Sequence, residues 1–161
     1  MRIELAFGKT GLDAELPDGR DYQFLEARSA VALADGAAAL ETAMDAPIGV
    51  PPLIELARGK RTAAISVCDI TRPAPNRLVL PPLLARLERA GINRENVTVL
   101  IATGLHRPAT EDEIREIVGP ELFGTIRVVN HHAKVLSEHR YLGDTSTGTP
   151  VHIDERFMAA D

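Results

Sequence analysis

Ile3, Leu5 and Phe7 share one face of an alternating run, and Leu12, Ala14 and Leu16 repeat the alternation beyond Gly8-Lys9-Thr10-Gly11. Successive side chains on a strand point to opposite faces, so these runs predict an N-terminal β-hairpin with one buried face. Residues 35–44 are alanine-rich and predict a helix; residues 51–58 predict a shorter one that stops at Gly59. The stretch TAAISV, residues 62–67, is apolar with little alternation, the pattern of a strand covered on both faces. Leu83, Leu84, Leu87 and Ala90 mark a helix ending at Gly91, and VTVLIA, residues 97–102, is a second buried strand. Thr110 and Glu113 have capping-box spacing, which predicts a helix over 111–118 closed by Gly119-Pro120. Residues 126–129 form a third strand, and the turn-rich residues 143–153 end in another short one.

From residue 62 the order is β-α-β-α-β. That order predicts an α/β fold, an open and mostly parallel sheet with helices on its faces (Rossmann-like), preceded by the hairpin. One domain over residues 1–161 is long enough to close a sizeable core. The last residues, Arg156-Phe157-Met158-Ala159-Ala160-Asp161, carry neither a cap signal nor a polar tail. The expectation is therefore an N-terminal part of a larger protein, truncated at its C-terminus. Apolar surface left bare by truncation would let a homo-oligomer form adventitiously.

Composition narrows the partners. The chain has 23 acidic and 18 basic residues, a net charge of −5 and no block of like charge, which argues against nucleic acid. No apolar run approaches a membrane span and the start lacks a signal-peptide pattern, so a cytoplasmic protein without a membrane partner is expected. The one cysteine, Cys68, has no internal disulfide partner and fits a small buried hydrophobe on its strand.

Two stretches could do chemistry, and one tempting motif fails. Gly8-Lys9-Thr10 ends like a phosphate-binding loop, but the glycine required earlier is Ile3, and the tripeptide joins two strands. Asp69-Ile70-Thr71-Arg72-Pro73-Ala74-Pro75 leaves a strand end, where open α/β sheets bind ligands. Its prolines hold Arg72 and Ala74 out of the helical region, so little entropy is lost on binding. Thr71 and Arg72 suit a phosphate or carboxylate, and Asp69 needs nearby donors if buried. Asn76 fits a helix N-cap, with Pro81 and Pro82 kinking that helix or delaying its regular start. Ala102-Thr103-Gly104-Leu105-His106-Arg107-Pro108 leaves the next strand by the same route, and His106 is the imidazole placed to move protons there. Both loops also suit a plain role in bracing surface turns. His131 and His132 would face opposite sides of a continuing strand, and His139 and His152 lack zinc-like spacing, so no metal site is expected.

These two seven-residue loops, with Pro47-Ile48-Gly49, Leu56-Ala57-Arg58-Gly59-Lys60 and Gly148-Thr149-Pro150-Val151, resemble the N-terminal domain of the lactate racemase family. Members depend on a nickel-pincer nucleotide, a pyridinium mononucleotide carrying nickel. The resemblance implies cofactor contacts from Asp69, Ile70, Thr71 and Arg72, a substrate-carboxylate contact from Arg72, and a catalytic acid/base role for His106. It implies inversion of a small 2-hydroxy acid by hydride transfer. The family's second catalytic histidine, cofactor lysine and nickel-ligand histidine lie in a segment that these residues do not match. The chain alone is thus expected to be inactive and to hold no covalent cofactor. The competing expectation is a non-catalytic domain binding a nucleotide or phosphometabolite.

Overall fold

The computed structural model describes residues 1–8, 10–25 and 29–161, so Lys9 of the first turn lies outside the described residues. The chain divides into Met1–Ala32 and Leu33–Asp161. In the first unit β1 (Arg2–Leu5) pairs antiparallel with β2 (Leu12–Glu15), Ile3 opposite Ala14. The hairpin is the predicted one, but its apolar face is only shallowly covered. Ile3 and Ala14 are half-buried, whereas Leu5 and Leu12 stay 46% and 48% exposed. Two strands alone lack the side chains to cover one another's face.

The second unit begins with α1 (Gly36–Asp45), whose N-cap Asp35 accepts from the Ala38 N–H at 2.9 Å, and α2 (Leu53–Ala57). Next come β3 (Ala63–Cys68), α3 (Asn76–Ala90), β4 (Val97–Ala102), α4 (Glu111–Val118) and β5 (Arg127–Asn130). The sheet order is β3-β4-β5, all parallel, as the β-α-β-α-β pattern requires. Ala63 lies opposite Val97 and Cys68 opposite Ala102, so β3 and β4 end level. Val67, Val97, Val99 and Ile101 face Leu80, Leu84 and Leu87 of α3 and Ile117 and Val118 of α4 in one core. The α3 leucines recur at helical spacing, and each fully buried one contributes about 1.5–3 kcal/mol. Arg86, on α3 and only 3% exposed, pairs with Asp45 and Glu41 of α1 and ties the two helices together.

Cys68 is exposed, not buried. Ala63, Ile65 and Val67 take the helix-covered face, so alternation turns Ser66 and Cys68 to the other one. That second face is covered only in part, by β7 (Pro150–Asp154) and α5 (Glu155–Met158) across a groove lined by Ser66, Leu100 and Phe157. Asn76 is the first helical residue and not the cap. Pro75 occupies the cap position with no side-chain bond, and Pro81 and Pro82 sit inside α3. The prolines deprive two carbonyls of their N–H partners, yet Leu80 and Leu84 on either side are fully packed and hold the helix together.

β6 (His139–Asp144), which pairs antiparallel with β7, had no alternating signal. The final residues are anchored despite their bland sequence. Asp154 caps α5 by accepting from the Arg156 N–H, and the Asp161 carboxylate accepts from the N–H groups of Arg61 and Thr62 at 2.9 and 3.1 Å. Among the described residues no helix is long and apolar enough to cross a membrane.

The predicted capping box at α4 forms. Thr110 Oγ1 accepts from the Glu113 N–H, and the Glu113 carboxylate accepts from the Thr110 N–H at 2.9 Å. Arg107 donates to both Glu113 oxygens at 2.7 Å. That guanidinium, with the Thr110 N–H, lowers the Glu113 pKa from 4.5 to about 2. A carboxyl depressed by folding stabilises the fold fully above its unfolded pKa. Stability is therefore expected to fall as pH drops from 4.5 toward 2, and urea titrations of Arg107→Met over that range should show a weaker decline.

Candidate functional site

β3 and β4 end level, so the loops that leave them emerge side by side, and a carboxylate joins them. Asp69, the first residue after β3, is 8% exposed. Its Oδ1 accepts from the Thr71 N–H at 3.2 Å and from Thr71 Oγ1 at 2.6 Å. Its Oδ2 lies 2.5 Å from His106 Nδ1, on the loop after β4. Three of the roughly four acceptor positions of a carboxylate are thus filled. The Thr71 hydroxyl, then His106, lowers the Asp69 pKa, so the group stays ionised. An ionised carboxylate only accepts, hence His106 Nδ1 carries a proton, and in the neutral ring Nε2 is the nitrogen left with a lone pair.

On the other side of Thr71, Arg72 Nη1 donates to Thr71 Oγ1 at 3.1 Å. A continuous path therefore runs His106–Asp69–Thr71–Arg72, with the buried carboxylate at its centre and exposed His106 and Arg72 at its ends. The structure brings together four of the five residues singled out from the sequence. Ile70 differs, because its half-buried side chain packs against the core. Thr71 and Arg72 are exposed just ahead of the uncapped N-terminus of α3. Hydroxyl, guanidinium and unpaired helical N–H groups suit an anionic ligand such as a phosphate monoester.

His106 also lines a cleft of about 360 Å³ with Arg107, His131, His132 and Lys134. Sequence reasoning placed His131 and His132 on opposite faces of a continuing strand. β5 instead stops at Asn130, and beyond it the chain leaves the two-residue period, so both histidines reach the cleft. His132 Nδ1 lies 3.1 Å from a Glu138 oxygen. His131 Nε2 lies 2.8 Å from His139 Nε2, with ring centroids 5.0 Å apart. A 2.8 Å gap plus two ring radii of about 1.1 Å accounts for that separation, so the lone-pair axes run end to end, as in an N–H···N hydrogen bond. Two ligands of one metal ion would converge at an angle instead. His139 Nδ1 faces the Val135 carbonyl at 2.9 Å and must donate, so His131 supplies the proton of the pair. Burial, then His139, lowers the His131 pKa. No group of three or more metal-ligating side chains occurs among the described residues.

Two further residues escaped sequence reasoning. Asn130 accepts from the Ala109 N–H at 2.9 Å and donates to the Ala109 carbonyl at 3.1 Å, pairing like one more strand residue. Thr103, 2% exposed, donates to the His131 carbonyl at 2.5 Å. Together they fasten both ends of the His106 loop to the tip of β5. An amide at a strand end is the only sequence signal, and it does not reveal its partner.

A sequence model of the family described as lactate racemase N-terminal domain matches residues 7–161. Lactate racemase of Thermoanaerobacterium thermosaccharolyticum is 31% identical over 161 residues, 99% of this chain and 38% of that protein. Lactate racemase of Lactiplantibacillus plantarum is 34% identical over 122 residues, 76% of this chain and 28% of that protein. The solved structure of the lactate racemase apoprotein from T. thermosaccharolyticum superposes with a TM-score of 0.82 at 30% identity, covering 100% of this chain and 37% of that one. The chain thus spans under two-fifths of the length of the curated relatives it matches.

The carboxylate path yields a tautomer test. In Asp69→Asn the amide accepts from Thr71 and turns its N–H₂ toward His106, which forces the proton onto Nε2. Imidazole ¹⁵N shifts are expected to change from the Nδ1–H to the Nε2–H pattern; an unchanged pattern would show that Asp69 does not set the tautomer. Asn130→Ala removes two partly buried bonds and is expected to destabilise the fold by about 1–3 kcal/mol in urea unfolding.

Proposed function

The chain belongs to the lactate racemase N-terminal domain family, and on that footing we propose that it is the cofactor-binding domain of an enzyme that inverts the carbinol carbon of a 2-hydroxy acid. The observation that supports this reading is the His106–Asp69–Thr71–Arg72 path, a chain of hydrogen bonds with an imidazole at one end and a guanidinium at the other, groups suited to proton transfer and to carboxylate binding. The family resemblance supplies the cofactor, a nickel-pincer nucleotide. The donor set fits such a mononucleotide, because Thr71, Arg72 and the open α3 N-terminus are phosphate-compatible and Asp69 keeps one acceptor position for a ligand hydroxyl. When bound, that nucleotide would supply a hydride acceptor and donor.

The protein's own part is acid–base work and positioning. His106 Nε2 takes the substrate hydroxyl proton, and the imidazolium that forms is stabilised by the Asp69 carboxylate on its other nitrogen. Return of the proton from Nε2 restores the hydroxyl, so His106 serves as one of the two acid–bases that the resemblance implies. Arg72 grips the substrate carboxylate through its planar fork, held in place by Thr71. Thr103 and Asn130 keep the His106 loop from drifting. That matters because a misplacement of about 1 Å can cost 10²-fold in rate.

The chain is a small share of its relatives' length, and by itself it is expected to leave (S)-lactate uninverted in chiral chromatography. In the whole enzyme, reconstituted with its cofactor, His106→Gln is expected to lower kcat by about 10²–10⁴-fold. Arg72→Ala should act mainly on KM. Wild-type kcat in His106→Gln would refute the acid–base assignment.

A further inference from the structure

Each of the two loops at the strand tips carries an arginine, and the two guanidiniums are engaged differently. Among the described residues the Arg72 guanidinium donates only to Thr71, and it stays exposed. Arg107 is already closed on a partner. Its Nη1 and Nη2 each donate to one oxygen of Glu113 at 2.7 Å, and Nη1 also donates to the Pro108 carbonyl at 3.0 Å. A guanidinium fork that grips one carboxylate with both prongs has no second fork for another. Arg72 is therefore the arginine open to a ligand, and Arg107 is not.

What the Arg107 fork holds is the backbone next to His106. Glu113 stands in the first turn of α4, and its carboxylate also accepts from the Thr110 N–H. Residues 107–113 are thereby closed into a ring. Within it, Ala109 is bound through its N–H and its carbonyl to Asn130, and Pro108 holds Arg107 out of the helical region. On the other side, the His106 N–H donates to the Thr103 carbonyl at 3.0 Å and closes a turn over Gly104. His106 lies at the joint of a closed turn and a closed ring, and its side chain reaches across to Asp69. A hydrogen bond tolerates only a few tenths of an ångström of drift, so the imidazole depends on both. The Arg107 side chain is 65% exposed, and an ion pair so wet adds little to stability. Its effect is geometric.

Resting on the racemase reading above, we propose that Arg107 is a positioning residue for the reaction. By clamping Glu113 it fixes the backbone after His106 and keeps the imidazole on Asp69, with Nε2 directed to the substrate hydroxyl.

The first measurement needs no turnover. Imidazole ¹⁵N spectra of the 161-residue chain are recorded at mildly alkaline pH, where imidazoles are ordinarily neutral. Arg107→Met is expected to replace the Nδ1–H pattern of His106 by a mixture of both tautomers, because a ring released from its acceptor reverts toward the Nε2–H form. Glu113→Gln should do the same, since glutamine preserves the capping box but offers one acceptor oxygen where the clamp uses two. The double variant should match the single ones, because each removes the same clamp. Thr110→Ala weakens the α4 cap, leaves the clamp in place and should keep the Nδ1–H pattern. An unchanged pattern in Arg107→Met would overturn the proposal, as would an equal mixture in Thr110→Ala.

In the whole enzyme reconstituted with its cofactor, Arg107→Met and Glu113→Gln should lower kcat alike, by about 10–10²-fold, with KM held within about twofold. A KM that rises in Arg107→Met and not in Glu113→Gln would overturn the proposal and make Arg107 a substrate contact. Unchanged kcat in both variants of an enzyme that His106→Gln disables would overturn it too. The two readings fail separately. Wild-type kcat in His106→Gln sinks the racemase reading, and the tautomer spectra still decide whether the clamp positions the imidazole.

Discussion

A carboxylate removed from water must be surrounded by donors, and at Asp69 that requirement organises the site. Thr71 meets part of the need from within its own loop, and His106 meets the rest from the loop after the neighbouring strand. The two loops are thereby fixed to each other. Because Asp69 is ionised, it also sets which imidazole nitrogen of His106 carries the proton. Electrostatic satisfaction, loop registration and chemical readiness follow from one group.

The sheet makes this possible. Parallel pairing with Ala63 opposite Val97 and Cys68 opposite Ala102 brings two strands of equal length to a common edge. A shift of two residues would move Asp69 about 6–7 Å from His106, well beyond hydrogen-bond reach. The apolar core beneath α3 and α4 holds the register, with Leu84, Val99 and Ile101 fully enclosed. Packing far from the cleft thus has a direct consequence for the cleft. The same logic extends to β5, where Thr103 and Asn130 tie the His106 loop to the third strand tip and bring His132 and Lys134 alongside.

Much of this was legible from residue order. The three strands and the two helices between them were marked by unbroken apolar runs, by Gly91 and by the Thr110–Glu113 spacing, each a signal confined to a few residues. Prolines in the loop after β3 announced a rigid segment, and its polar residues announced a ligand. Less was legible where the signal was weak or the partner distant. β6 lacks alternation, since its pairing with β7 is supplied by backbone and not by an apolar face. Cys68 was misjudged because an apolar run suggests cover on both faces, whereas the second face here has only β7 and α5 upon it. Asn76 looked like a cap, but Pro75 takes that position and the helix begins one residue earlier than a cap at Asn76 would allow.

The division has a physical basis. Local rules such as side-chain period, proline geometry and cap spacing act over a handful of neighbours, so sequence alone determined the hairpin, the three parallel strands with the helices between them, their order and the two loops at strand ends, but neither β6 nor α5. It also singled out Asp69, Thr71, Arg72 and His106 as chemically eligible. Which groups meet is a question of register and of where a strand stops. His106 and Asp69 are 37 residues apart, and Asn130 and Ala109 are 21 apart. Only the folded sheet, through the level ends of its parallel strands, decided that the first pair would share a proton and that His131 and His132 would turn into one cleft.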